Sequence, residues 1–191
     1  MKAVKNVLVF VIMLTIVAGY ANENCINVPS KSITILKFSN VKKGHKYSIN
    51  DNKGYAIYSG TIKKDGTYSK KFDFSNLKDG LYTLEISKDF EIVIRPFEIK
   101  KQNVFFLEDR ETKAFKPVVR VDNNTLMISQ LTLDTMPLDV ELFYNDELIY
   151  SDQLKGGQVL ERAYKLSKEE RGEYYVSLKS GDRYFYDRFE L

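Results

Sequence analysis

The chain has 191 residues, 43% hydrophobic and 29% charged, with a formal net charge of +3. That apolar share can bury a core, which excludes a disordered chain, and so small a net charge gives no reason to expect nucleic acid as a partner. One Cys and one His exclude an internal disulfide and leave too few ligands for a zinc site.

The chain opens on a targeting segment. Lys2 and Lys5 give a positive start, Val7 to Val17 is an apolar run, and Ala18, Gly19 and Ala21 are small residues suited to cleavage. Residues 1–21 therefore read as a secretory signal peptide. The run is short of the ~18 residues of a spanning helix and no second run of that length follows, so no membrane span is expected in the mature chain. Residues 22–31 read as a flexible lead ending near Pro29. It holds Cys25, preceded by Asn22-Glu23-Asn24 where a lipidated cysteine wants small residues, so an inert free thiol is expected.

Thirteen Tyr, twelve Phe and no Trp lean the rest toward strands, whose pleated surface suits aromatic and β-branched residues. Strands are expected over 32–38, 45–49, 55–62, 67–74, 80–87 and 90–94, with Pro96 ending the last pairing or marking an edge. The separators carry turn residues, Asn50 to Gly54 and Lys64-Asp65-Gly66 among them. Residues 100–116 read as a linker, charged in the middle, with Val104 to Leu107 apolar enough to add a strand. Seven further strands are expected over 117–121, 125–132, 137–144, 147–154, 158–166, 172–179 and 183–191, and Ser167 to Arg171 has the composition of a single helical turn. Short strands with turn signals every 8 to 12 residues describe an immunoglobulin-like (Ig-like) sandwich. The fold class is all-β: two tandem antiparallel Ig-like sandwiches of about seven strands each, at 32–99 and 117–191.

The two units repeat. Ile57 to Ile99 lies on Ile149 to Leu191 without a gap at an offset of 92, with Ile57/Ile149, Tyr58/Tyr150, Gly80/Gly172, Tyr82/Tyr174 and Phe97/Phe189 identical. Other pairs swap like for like, as Phe72/Tyr164, Leu84/Val176 and Ile86/Leu178 do. A shared apolar pattern and turn specify a fold. Tyr82 and Tyr174, each two residues after a glycine at the start of a late strand, are expected to be tyrosine corners, with the hydroxyl bonded to backbone just upstream. Charge does not repeat. Residues 31–99 hold 13 Lys and Arg against 8 Asp and Glu, and residues 117–191 hold 9 against 14, so contact between the repeats, or head-to-tail between molecules, is a possible use of the +5/−5 split.

Leu77-Lys78-Asp79-Gly80-Leu81-Tyr82-Thr83-Leu84-Glu85-Ile86 resembles the turn and strand of the type IX secretion C-terminal sorting domains of Bacteroidetes. Gly172 to Leu178 with Tyr184 to Leu191 is similar to small secreted Ig-like domains of unknown function from the same phylum. These resemblances imply a Gram-negative source and a place in the periplasm or at the cell surface. Asp134-Thr135-Met136 resembles the O-glycosylation acceptor of these bacteria, which implies a sugar on Thr135.

Chemistry-bearing residues are few. His45, beside Gly44, reads as a surface turn residue with no nucleophile at a recognisable spacing, and no phosphate loop or metalloprotease motif is present. Asp51, Asp122 and Asp146 offer oxygens of the kind calcium takes, but turns need the same residues and no spacing matches a calcium loop. No catalytic residue, cofactor or metal ligand is assigned. In the aromatic C-terminal stretch, period-two alternation sets Tyr184 and Tyr186 on one face and Phe185 on the other. Tyr175, Tyr184 and Tyr186 are the candidate binding face. The expectation is a secreted, non-enzymatic protein acting by surface contact with a protein or glycan. Its rivals are a carbohydrate-binding accessory module, which needs an exposed tyrosine row, and a type IX sorting or attachment domain. An enzyme or inhibitor would need carboxylates clustered in a cleft at the junction near Val104 to Leu107.

Overall fold

The computed structural model describes residues 33–191. The expected signal peptide, the lead and Cys25 lie outside the described residues. The first unit comprises β1 (Ile33–Val41), β2 (Lys46–Asn50), β3 (Ala56–Thr61), β4 (Gly66–Asp73), β5 (Gly80–Ser87) and β6 (Glu91–Lys100). After it come β7 (Asn103–Phe106), a single 3₁₀ turn over Glu108–Arg110, and β8 (Thr112–Phe115). The second comprises β9 (Val118–Asp122), β10 (Thr125–Leu131), β11 (Leu138–Tyr144), β12 (Glu147–Leu154), β13 (Val159–Lys165), β14 (Glu173–Ser180) and β15 (Arg183–Glu190).

Every pairing among the described strands is antiparallel, and each unit is two sheets face to face. In the first, β1-β4 faces β3-β2-β5-β6; in the second, β9-β10-β13 faces β12-β11-β14-β15. These are the strand neighbours of an Ig-like sandwich. Alternation builds each core. From β1, Leu36 and Phe38 point inward to meet Ile49, Leu84, Phe97 and Ile99, and from β10, Leu126 and Ile128 meet Val140, Leu142, Tyr174 and Val176. Each such side chain contributes about 1.5–3 kcal/mol on burial. The register repeats as well: Ile33 faces Asp73 in β1-β4, and Thr125 faces Lys165 in β10-β13.

Two sequence expectations need correcting. Pro96 does not end β6, which runs on to Lys100 with Pro96 opposite Thr83. Instead it marks the gap on the other edge of β6, where β8 pairs with Glu91 to Ile94 and β7 with Phe97 to Lys100. A residue with no N–H is tolerated in that gap. Ser167 to Arg171 is an irregular loop, because Tyr174 and Tyr144 donate their hydroxyls to the Glu170 and Arg171 carbonyls at 3.0 and 3.1 Å. Meanwhile the linker's strands lie along the first sandwich, so little of 100–116 is a free tether.

Candidate functional site

The corner tyrosines lie at the base of the two long sheets. Tyr82 Oη donates to the Lys78 carbonyl at 2.8 Å, and Tyr174 Oη to that of Glu170 at 3.0 Å, each four residues back. Each ring stacks on its cross-strand neighbour, Tyr82 on Phe97 at 5.6 Å and Tyr174 on Phe189 at 5.4 Å. Burial raises both hydroxyl pKa values, so both stay donors. The glycines before them, Gly80 at φ +155° and Gly172 at φ +148°, hold a backbone region that essentially only glycine enters.

With Tyr174, Val176 and Leu178 turned inward, β14 must turn Tyr175, Ser177 and Lys179 outward. β15 aligns beside it, with Arg188 opposite Tyr175, Tyr186 opposite Ser177 and Tyr184 opposite Lys179. β11 adds Phe143 opposite Tyr175. The structure thus brings Tyr175, Tyr184 and Tyr186 onto one face. Phe143 stacks on Tyr175 at 4.5 Å, Tyr175 lies 6.2 Å from Tyr186, and Tyr186 stacks near-parallel to Tyr184 at 6.5 Å. Tyr184 and Tyr186 are 55% and 63% exposed.

Cations pin both ends. Lys179 Nζ sits 5.5 Å from the Tyr184 ring centre, and the Arg188 guanidinium 5.9 Å from that of Tyr175. Arg188 also reaches Glu173 at 2.9 Å. Beneath the row Ser177 is buried. Such a surface offers flat apolar faces with hydroxyl rims, suited to stacking on a sugar ring or a partner's side chains. Sequence reasoning missed Phe143, Lys179 and Arg188, because the register joining β11, β14 and β15 is not written in any one strand.

Other candidates fall elsewhere. His45 is buried, not a surface turn residue: its Nδ1 accepts the Lys42 N–H at 3.0 Å and its Nε2 meets Asp89 at 3.1 Å. Hydrogen bonds from Lys42 and then His45 hold the Asp89 carboxyl below its ordinary value, so the cluster locks two turns together. Thr135 is exposed, at φ +56°, in a turn held by Asp134, which accepts from Thr132 at 2.6 Å and from the Met136 amide at 3.3 Å.

Between the repeats lies an open groove of about 1190 Å³. Two of its acids are paired, Glu85 with Arg183 at 2.6 Å and Glu111 with Arg95 at 2.6 Å. Among the described residues no group of three or more His, Cys, Asp or Glu is placed to hold a metal. The Glu85–Arg183 pair joins the repeats with its acid on the basic repeat and its base on the acidic one, so the +5/−5 split does not account for that contact. Among the described residues, no helix is long and apolar enough to cross a membrane.

Comparisons with known proteins bear first on the class, an all-β chain of tandem Ig-like sandwiches. Residues 27–100 match the family profile described as "Secretion system C-terminal sorting domain". The first repeat is therefore similar to that family, and the matched segment is followed here by a second sandwich. No curated protein matches the chain. Among solved structures, the BSP domain of a biofilm-associated protein is 12% identical with a TM-score of 0.29, over 84% of this chain and 27% of that one. A tetra-tandem repeat from the extending region of a large adhesion protein is 15% identical with a TM-score of 0.29, over 85% and 46%. This chain thus spans under half of either structure, and likeness at that level carries no argument about function.

Proposed function

We propose that the chain is a secreted, non-enzymatic protein of two tandem Ig-like sandwiches, 32–99 and 117–191 joined by 100–116, which acts by surface contact through its tyrosine face. The observation that carries this reading is the row of exposed Tyr184 and Tyr186 with half-buried Tyr175, extended by Phe143 and flanked by Lys179 and Arg188. Exposed tyrosines ordered into a row on a rigid sheet are the kind of large, pre-positioned contact area that dominates recognition. The secretion-system profile over 27–100 supports a working place outside the cytoplasm, in the periplasm or at the cell surface.

The test is binding of the full chain to immobilised cell-envelope material, native, protease-treated or stripped of polysaccharide. The Tyr184→Ala/Tyr186→Ala double variant should bind at least tenfold more weakly with its melting temperature unchanged. Loss of binding on polysaccharide removal identifies a glycan, and loss on protease treatment a protein. Equal binding by the double variant overturns the tyrosine face as the site.

A second reading, a sorting or attachment device, rests on the profile match. Mass spectrometry of periplasmic, membrane and culture fractions from the native cell reads both termini. Removal of one repeat during export supports sorting; both repeats retained in every fraction speaks against it. The same spectra test an O-glycan on Thr135, whose exposed turn leaves room for one.

A further inference from the structure

The inward row of β10 breaks its apolar pattern at the end that meets the linker. Leu126 and Ile128 are followed by Gln130, which takes the place of Phe38 in β1: Gln130 lies opposite Leu160 as Phe38 lies opposite Tyr68. Phe38 is enclosed in the first core, and Gln130 is 5% exposed. Its Nε2 donates to the Phe115 carbonyl at 2.8 Å. Its Oε1, equally buried, meets no donor among the described residues. Buried carbonyl oxygens are in the great majority hydrogen-bonded, so an amide standing where the other repeat has a ring, with one end open, points to a partner from outside the chain.

Gln130 lines the groove between the repeats, and the rest of the lining says what that partner carries. Leu131, Leu133 and Met136 reach the groove from the second repeat 37%, 57% and 45% exposed, so apolar surface there lacks cover. Five acids line the groove against two bases. Both bases are engaged, Arg183 by Glu85 and Lys113 by Glu91. Glu108 and Asp182 have no ion pair among the described residues.

We propose that this groove is a binding site separate from the tyrosine face, and that it takes an extended segment of a partner protein in which apolar and basic residues alternate, with an N–H of that segment on Gln130 Oε1. The open carbonyl needs a donor, the exposed apolar side chains need cover, and the unpaired carboxylates need cations. An extended peptide supplies all three at once, because its backbone gives N–H groups and its side chains alternate in direction. A neutral glycan brings donors but no cation, and an anionic ligand is repelled. At about 1190 Å³ the groove also exceeds the roughly 300–1,000 Å³ of a small-molecule pocket.

The test titrates the full chain with a short fluorescein-labelled peptide of alternating leucine and lysine, and with its leucine–glutamate counterpart, read by anisotropy at physiological ionic strength. The lysine peptide should bind and saturate; the glutamate peptide should not. Gln130→Leu should weaken binding about tenfold, the effect of losing one buried hydrogen bond. Glu108→Gln/Asp182→Asn, which breaks no ion pair, should weaken it severalfold. Tyr184→Ala/Tyr186→Ala should leave it unchanged, so the tyrosine face and the groove stand or fall separately. Because Gln130→Leu also removes the bond to Phe115, the side-chain amide signals of Gln130 are followed by NMR in the unaltered protein, where they should shift and saturate together with the anisotropy. Absent binding, equal binding of both peptides, or binding indifferent to the groove variants would each overturn the proposal. So would Gln130 signals that stay still while the peptide binds, an outcome that leaves water as the partner of Gln130.

Discussion

Where the first repeat uses a ring, the second uses a charge network. Tyr47 lies across Gly60, so close that a Cβ there would sit 2.3 Å from its hydroxyl oxygen. Lys70 approaches the Tyr47 and Phe72 rings at 5.4 and 5.7 Å. In the second repeat the smaller Val140 leaves room at the Gly60 position for Asp152, which accepts from Arg162 at 2.7 Å and from Tyr164 at 2.9 Å. The outward faces diverge further. Positions occupied by Thr83, Ile92 and Ile94 in the first sandwich hold Tyr175, Tyr184 and Tyr186 in the second, while the inward positions of β5 and β14 keep the tyrosine, Tyr82/Tyr174, and exchange one apolar residue for another at Leu84/Val176 and Ile86/Leu178. Duplication preserved what the core requires and released the surface for separate use.

The sharpest way to break this comparison is at the shared corner. Tyr174→Ala, at a fully buried position, should cost about 3–5 kcal/mol in urea denaturation, and Tyr82→Ala somewhat less because its edge is open. Next, Gly60→Asp imports the second repeat's residue into the first and should cost about 1–3 kcal/mol by overpacking. Adding Tyr47→Val should recover much of that loss, and a cycle showing strict additivity would refute the compensation. Smaller still, Tyr82→Phe and Tyr174→Phe should each cost about 1 kcal/mol, the net worth of one hydrogen bond.

Acid should act on both repeats through different carboxyls. Burial works to raise the Asp152 pKa, but the hydrogen bond from Tyr164, the Gln153 amide and Arg162 outweigh it, so the net shift is downward. Asp89 is held low by Lys42 and His45. A depressed folded pKa gives stability that is present above the unfolded value, about 3.9, and is lost as pH falls through the folded one. The urea midpoint should therefore be flat from pH 7 to 5 and fall below about 4, with Asp152→Asn and Asp89→Asn each flattening part of the fall. Least of all, Tyr184→Ala/Tyr186→Ala should shift stability by no more than about 0.5 kcal/mol, as surface changes do.

Most strands were legible because alternation is local: the expected 147–154 and 183–191 meet β12 at Glu147–Leu154 and β15 at Arg183–Glu190. Core positions followed from the repeat, since Leu84/Val176 and Ile86/Leu178 are all buried. His45 was misread because its partner Asp89 is 44 residues away, a distance no turn motif spans. The continuation of β6 past Pro96 was hidden too, because proline's cost depends on what lies beside it. The tyrosine row was half legible: alternation placed Tyr184 and Tyr186 together, but its extension through Tyr175 to Phe143 needed the sheet order.

The way the linker lies along β6 has a mechanical consequence. β8 and β7 hold adjacent stretches of one edge, the Lys116 amide donates to the Phe90 carbonyl at 2.9 Å, and Gln130 Nε2 reaches across the repeats to the Phe115 carbonyl at 2.8 Å. At rest, then, the two sandwiches stand close on a short connection. Tension on the second sandwich loads the Gln130 and Arg183 contacts first and then peels β8 and β7 from β6 one ladder rung at a time. At about 3.4 Å per residue, the released linker would add up to about 55 Å of slack, the last of it only once Val104 and Phe106 lift off the first core.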